Sequence, residues 1–483
     1  MNFRMIFKSI GTVICVEAAC MLPSLIVALI YNEGDASAFI ISIIAAAITG
    51  LALICIKSKT SLIYTRDGFA IAALGWLLIT AFGALPFILS GAIPSLVDAF
   101  FESASGFSTT GASILKDVEA APKGILFWRS FTHWIGGMGV LILMIALIPS
   151  VKPSTLHILK AESPGPSPGK FVPKIGQSTK ILYLIYIGLT AIQMIFLAIG
   201  GMPLYDNLVH TFGTAGTGGF SSRNASVGAY GSLYIEIVIA VFMLLFGVNF
   251  SLYYMTLKGD IKSSVRDEEL RFYFAVIVAA IVLITFNIKG TIFPSFGESL
   301  RHSSFTVSSI ITTTGYSSTD FNLWPWFSKC IIYLLMFIGA TAGSTGGGIK
   351  CIRILLLFKI VIREIKKIAH PRMVQTVKIN GRVVDEAILS GILTFFFLFI
   401  AIFALSVLAV SFEGQDFVTT ISAVISCLSN IGPGPGAVGP AGNYSGFTDF
   451  SKIILSLDMI TGRLEIFPIL LLFSPSFWKR STI

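Results

Sequence analysis

Ten apolar runs dominate the chain, near residues 9–31, 37–56, 68–90, 124–148, 180–200, 232–257, 271–288, 329–360, 387–411 and 452–474. A helix needs roughly 20 apolar residues to cross a bilayer, so the pattern predicts ten spans. The polar segments between them alternate in position. Most of the 34 Lys and Arg residues fall in or beside segments on the N-terminal side, including 150–179, 258–270 and 359–386. That asymmetry marks a cytoplasmic face, so both termini are expected there. Arg4 and Lys8 precede the apolar stretch Ile10–Ile30, as in a secretory signal. The stretch is too long for one and further runs follow, so it reads as the first span.

A second regularity lies on the opposite side. After the third, fifth, seventh and ninth runs comes an apolar stretch too short to cross, then a turn rich in Gly, Thr or Ser. The turns read Thr109-Thr110-Gly111-Ala112, Gly216-Thr217-Gly218-Gly219, Thr313-Thr314-Gly315-Tyr316 and Asn430-Ile431-Gly432-Pro433. A long fixed period with a span on either side of each turn means four copies of one helix–loop–helix unit. The expected architecture is an all-α polytopic membrane protein. Four parallel helix–pore loop–helix repeats surround one pore, as in a K⁺ channel, preceded by two extra transmembrane helices. The divisions fall at 1–60 for the two N-terminal helices, then 61–150, 151–258, 259–370 and 371–483 for the repeats.

Composition agrees. Among 483 residues 54% are hydrophobic and 12% charged, about half the charged share of a soluble chain. Six scattered cysteines form no CxxC pair, so neither a disulfide framework nor a zinc site is expected. The net charge of +9 is explained by the loop bias and points to lipid rather than nucleic acid. No catalytic constellation is legible, which argues against an enzyme, and no cofactor is called for.

Irregular backbone at membrane depth is tolerated only where it is buried in protein or lines a watery cavity. Glycine allows positive φ, so successive carbonyls can face one axis and replace an ion's hydration shell, as K⁺ filters do. Leu96–Ser105 and Val418–Cys427 read as short pore helices with the negative ends of their dipoles toward a cation. Any single turn also reads as a plain connection, but four in matching positions favour a filter. The eighth run contains Gly339-Ala-Thr-Ala-Gly343-Ser344-Thr345-Gly346-Gly347-Gly348-Ile-Lys350. This half-resembles a phosphate-binding loop but lacks the GxxxxGK[ST] order. Each Gly costs a helix interior about 1 kcal/mol, so the run breaks there. The segment reads as a mobile gate beneath the filter, or else as close small-residue packing. Arg463, in a run with Asp458 and Glu465, reads either as a fixed charge beside the ion path or as a member of an internal ion pair. Glu17 and His133 read as packing or interface residues.

The stretches Glu102-Ser-Ala-Ser-Gly-Phe-Ser-Thr-Thr-Gly-Ala-Ser113, Trp128-Arg-Ser-Phe-Thr-His-Trp-Ile-Gly-Gly-Met-Gly139 and Gly462-Arg-Leu-Glu-Ile-Phe467 resemble the TrkH branch of the Trk/Ktr/HKT superfamily. Ten runs fit that branch better than the shorter KtrB. The resemblance implies K⁺ uptake across a bacterial inner membrane and a homodimer with one pore per chain. It also implies regulation by a cytosolic, TrkA-like nucleotide-binding subunit; this chain carries no nucleotide fingerprint itself. The filter glycines map onto Gly111, Gly218, Gly315 and Gly432, the gate loop onto Gly339–Lys350, and the pore arginine onto Arg463. The fourth turn, Asn-Ile-Gly-Pro, departs from Thr-Thr-Gly and supplies fewer hydroxyls. A Na⁺-permeable or cation-coupled symporter of the same superfamily is the alternative; there Ser replaces the first filter glycine, so Gly111 favours K⁺. Alternating-access carriers use inverted repeats, whereas these repeats run parallel.

Overall fold

The computed structural model describes residues 1–56, 64–139, 175–372 and 375–478. Six helical segments among them are long and apolar enough to cross a membrane. Two precede the repeats: Phe3–Tyr31, interrupted at Met21, and Ala36–Ile54. They cross where small residues let the backbones touch. A β-carbon built on Gly11 would lie 2.6 Å from the Gly50 carbonyl, and one on Gly50 would lie 2.8 Å from that of Gly11.

The other four open the repeats: Arg66–Leu89, Lys180–Ile199, Glu268–Ile288 and Glu386–Ser411. Their exposed faces carry large apolar side chains such as Ile195, Phe286 and Phe397, as lipid contact demands. Each is followed by a short helix that ends at the centre of its repeat: Leu96–Phe107, Leu204–Gly216, Phe296–Ile311 and Phe417–Leu428. Three of these pore helices start at a capping side chain. Ser95, Ser295 and Asp416 accept from the N–H groups of Asp98, Glu298 and Thr419.

The returning helices are all interrupted, the third at the glycine-rich loop as expected and the other three where continuous spans were expected. They run Lys123–Gly137, Leu233–Phe246, Trp326–Ile338 and Asp449–Arg463, so each stops part-way. The second resumes as Phe250–Leu257 at 90°, and the third as Cys351–Ala369 after the loop 339–350. The cause is crowding under the pore helices. A side chain at Gly247 would press on Thr312 at 3.0 Å, and one at Gly136 or Gly462 would collide with the carbonyl of Phe107 or Leu428. The remainder of the run 124–148, beyond residue 139, lies outside the described residues. A two-residue hairpin, Lys378–Ile379 with Arg382–Val383, is the only strand pairing among the described residues besides an isolated bridge.

Candidate ion pathway

All four pore helices end in the same way. Thr109, Thr217, Thr313 and Asn430 adopt left-handed φ values of 61°, 56°, 60° and 57°. One residue on, the N–H groups of Thr110, Gly218, Thr314 and Ile431 donate to Ser105, Gly213, Ser309 and Ser426 carbonyls at 2.9, 2.8, 2.8 and 2.9 Å. This is a Schellman-type stop. A left-handed non-glycine residue costs about 1–3 kcal/mol, and threonine is a poor choice for it. Four such residues in equivalent places are therefore imposed by the surrounding packing.

The repeated stop fixes the register of the strands that follow. Gly111, Gly219, Gly315 and Gly432 come next but one after the left-handed residue. In the second turn the matching glycine is Gly219, one residue later than the Gly218 expected from spacing. The four strands close a ring. A β-carbon on Gly111 would lie 2.5 Å from the Gly219 nitrogen, and one on Gly219 2.8 Å from the Thr314 carbonyl. One on Gly315 would overlap the Ile431 carbonyl, and one on Gly432 would lie 2.6 Å from that of Thr110. Each strand abuts the next and the fourth returns to the first. A cavity of about 160 Å³ is lined by all four glycines, together with Lys116, Arg223 and Tyr444 among others.

Buried polar groups hold the strands from behind. Glu102, on the first pore helix, accepts from Arg129 at 2.7 Å, Ser113 at 2.9 Å and the Ile114 N–H at 2.9 Å. The Arg129 guanidinium also lies 4.0 Å from the Phe220 ring centre. His133 bridges the first pore helix and the second turn. The Phe220 N–H donates to its Nε2 at 3.3 Å, which leaves Nδ1–H to donate to the Gly106 carbonyl at 2.8 Å. The Tyr316 hydroxyl donates to the Phe220 and His210 carbonyls, both at 3.2 Å. Asn430 Nδ2 donates to Thr110 Oγ1 at 3.0 Å and to the Met459 carbonyl at 2.8 Å, which ties the fourth strand to the first.

The loop 339–350 lies against one end of the ring. The Gly347 N–H donates to Thr313 Oγ1 at 2.7 Å, and a side chain on Gly346 would stand 2.9 Å from the Thr312 carbonyl. The loop meets the orphan carbonyls of the broken second return helix. The Thr341 hydroxyl donates to Gly247 at 2.9 Å, and that of Thr345 to Phe246 at 3.2 Å. Phe250 N–H donates to the Gly343 carbonyl at 3.1 Å. Lys350 is buried, has φ 83° and turns its ammonium onto the Gly346 carbonyl.

Arg463 reaches this loop from the fourth return helix. It donates to the Thr345 carbonyl at 2.7 Å and to Gly136 and Gly137 at 2.5 and 2.6 Å. Its acidic neighbours are engaged elsewhere: Glu465 with Arg353 at 2.6 Å, Asp458 with Ser406 at 2.8 Å. Breaks in all four return helices therefore converge on one place. Glu269, which the sequence reading missed, anchors both ends of the loop. Its carboxylate accepts from the Ala342 N–H at 2.6 Å and the Ile352 N–H at 3.1 Å. No cluster of three or more metal-ligating His, Cys, Asp or Glu side chains occurs among the described residues.

The family model for TrkH, described as a cation transport protein, matches residues 35–480. The chain belongs to the TrkH family. It is 38% identical over 485 residues to the Trk system potassium uptake protein TrkH of Salmonella typhimurium, covering 99% of this chain and all of that one. The Escherichia coli K12 protein of the same name is 37% identical with the same coverage. The crystal structure of the potassium transporter TrkH from Vibrio parahaemolyticus superimposes with a TM-score of 0.90 at 33% identity, over 99% of this chain and 100% of that one. The TrkH-like stretches come together in space: Glu102 of the first meets Arg129 of the second, and Arg463 of the third meets Gly136 and Gly137 of the second.

Proposed function

We propose that this chain conducts K⁺ into the bacterial cell through the ring formed by residues 109–112, 216–219, 313–316 and 430–433. The observation that carries this reading is the closed contact of Gly111, Gly219, Gly315 and Gly432 around a cavity they share. Backbone carbonyls at such a ring replace an ion's water. The four pore helices direct their carbonyl ends, each about half a negative charge, to the same place. The relatives named for potassium uptake support the choice of ion.

The loop 339–350 and Arg463 form the gate in this reading. A cation leaving the ring meets the loop backbone and then a guanidinium, in a setting of low dielectric where one charge acts strongly. The helix Cys351–Ala369 begins where the loop ends and is about 28 Å long at 1.5 Å per residue. Its far end exposes Lys366 and Lys367. A cytosolic nucleotide-binding subunit docked on that basic surface would move the loop through a rigid connection. The protein works as a homodimer in the inner membrane with both termini cytoplasmic, and each protomer carries its own pore.

Gly111→Ser tests the filter. Gly111 has φ 80° and stands against Gly219, so a side chain there strains the strand and separates the two strands. In reconstituted vesicles the K⁺ over Na⁺ permeability ratio is expected to fall about tenfold, the change that 1.4 kcal/mol produces. An unchanged ratio in a folded variant removes this strand from the filter.

A further inference from the structure

The four filter glycines do not present their carbonyls alike. Among the described residues, no hydrogen bond reaches the carbonyl oxygen of Gly111, Gly219 or Gly315. The Gly432 carbonyl accepts two, from Ser426 Oγ at 2.5 Å and from the Tyr444 hydroxyl at 2.7 Å. Both donors are buried. Ser426 sits on the fourth pore helix, behind its strand. Tyr444 comes from the segment after the strand. It is fixed there by its own N–H on the Ser113 carbonyl at 2.8 Å and by ring contacts with Phe101 and Phe447. A carbonyl oxygen has two lone pairs, and here both are taken from the protein side.

The equivalent hydroxyls elsewhere do something different. Six residues before Gly111 stands Ser105, whose hydroxyl has no protein partner. The matching position before Gly219 is Gly213. Before Gly315 it is Ser309, which reaches past the glycine to the Tyr316 carbonyl at 2.6 Å.

We infer that Ser426 and Tyr444 withdraw the Gly432 carbonyl from the ion-coordinating set. This rests on the filter reading above. The glycine level of the ring then offers three carbonyls, and these two side chains set how sharply the pathway separates K⁺ from smaller cations. Discrimination depends on the number and field strength of the ligands around the ion. Four carbonyls repel one another and resist contraction around Na⁺. Three carbonyls beside a gap contract more easily, or admit water on the open side. Both side chains act on the ion through the carbonyl they hold, so both are positioning residues.

The double variant Ser426→Ala/Tyr444→Phe removes both donors and keeps the pore helix and the aromatic packing. Uptake of K⁺, Rb⁺ and Na⁺ into vesicles holding the purified protein gives the readout. The K⁺ over Na⁺ ratio is expected to rise about tenfold, which is the equivalent of one net hydrogen bond, and Tyr444→Phe alone is expected to give a smaller rise in the same direction. Donors that only brace the strand would lower the melting temperature and leave the ratio as in the wild type, which overturns the inference. Gly111→Ser measured in parallel separates the two ideas. If it shifts the ratio and the double variant does not, the filter stands and the role of Ser426 and Tyr444 falls. If neither shifts it, the filter reading fails and this inference with it. Should the double variant not fold, Tyr444→Phe, which loses one oxygen, is read by the same criteria.

Discussion

Deleting Gly346–Gly348 is expected to raise basal K⁺ flux by about tenfold to a hundredfold without any cytosolic partner. A rise of that size corresponds to an open state that is a minor population of about 1–10% in the resting protein. The deletion removes the Gly347 N–H bond to Thr313 Oγ1 and withdraws the backbone that lies against Thr312 and Asn430. The loop ends are already joined: Ile349 and Lys350 donate to the Phe337 and Ile338 carbonyls at 3.2 and 2.9 Å. Three residues can therefore leave without pulling the two helices apart. The check is Rb⁺ uptake or single-channel current with purified protein. Wild-type flux and wild-type regulation in a folded deletion variant would make the segment a packing element.

Arg463→Ala is expected to raise basal flux by about tenfold, since it removes both a charge from the path and a link of about 1.5–3 kcal/mol to carbonyls of two other repeats. Arg463→Lys keeps the charge but replaces a planar five-donor fork with a single ammonium, so its flux should fall between wild type and Ala. Equal flux in all three proteins, with a lowered melting temperature for Ala, would give Arg463 a structural role alone. The two variants are not expected to add, because Arg463 holds the Thr345 carbonyl of the same loop.

Much of this architecture was legible in the sequence. The entry helices have continuous apolar runs, and three Gly in succession within the eighth run signal a break. The breaks in the other return helices were hidden, because Gly136–Gly137, Gly247 and Gly462 look like ordinary small residues until a pore helix is packed on them. The register of the second turn was ambiguous for a related reason. Gly216, Gly218 and Gly219 all satisfy a glycine pattern, and only the left-handed stop at Thr217 selects among them. The braces were hardest to find. Glu269 lies 73 and 83 residues from the N–H groups it holds, and His133 lies 87 from Phe220. For His133 the signal was a polar group inside an apolar stretch, which marks a position without naming its partner, whereas Glu269 sits beside Arg266, Asp267, Glu268 and Arg271, where one more charge does not stand out.

In the proposed pathway four backbone strands enclose a cation. Anomalous diffraction from crystals grown in Rb⁺ tests it most directly. A peak is expected on the axis of the ring, within carbonyl coordination distance of Gly111, Gly219 and Gly315 and displaced from Gly432. Saturating Rb⁺ with no peak inside the ring, or with its only site outside these four strands, would contradict it.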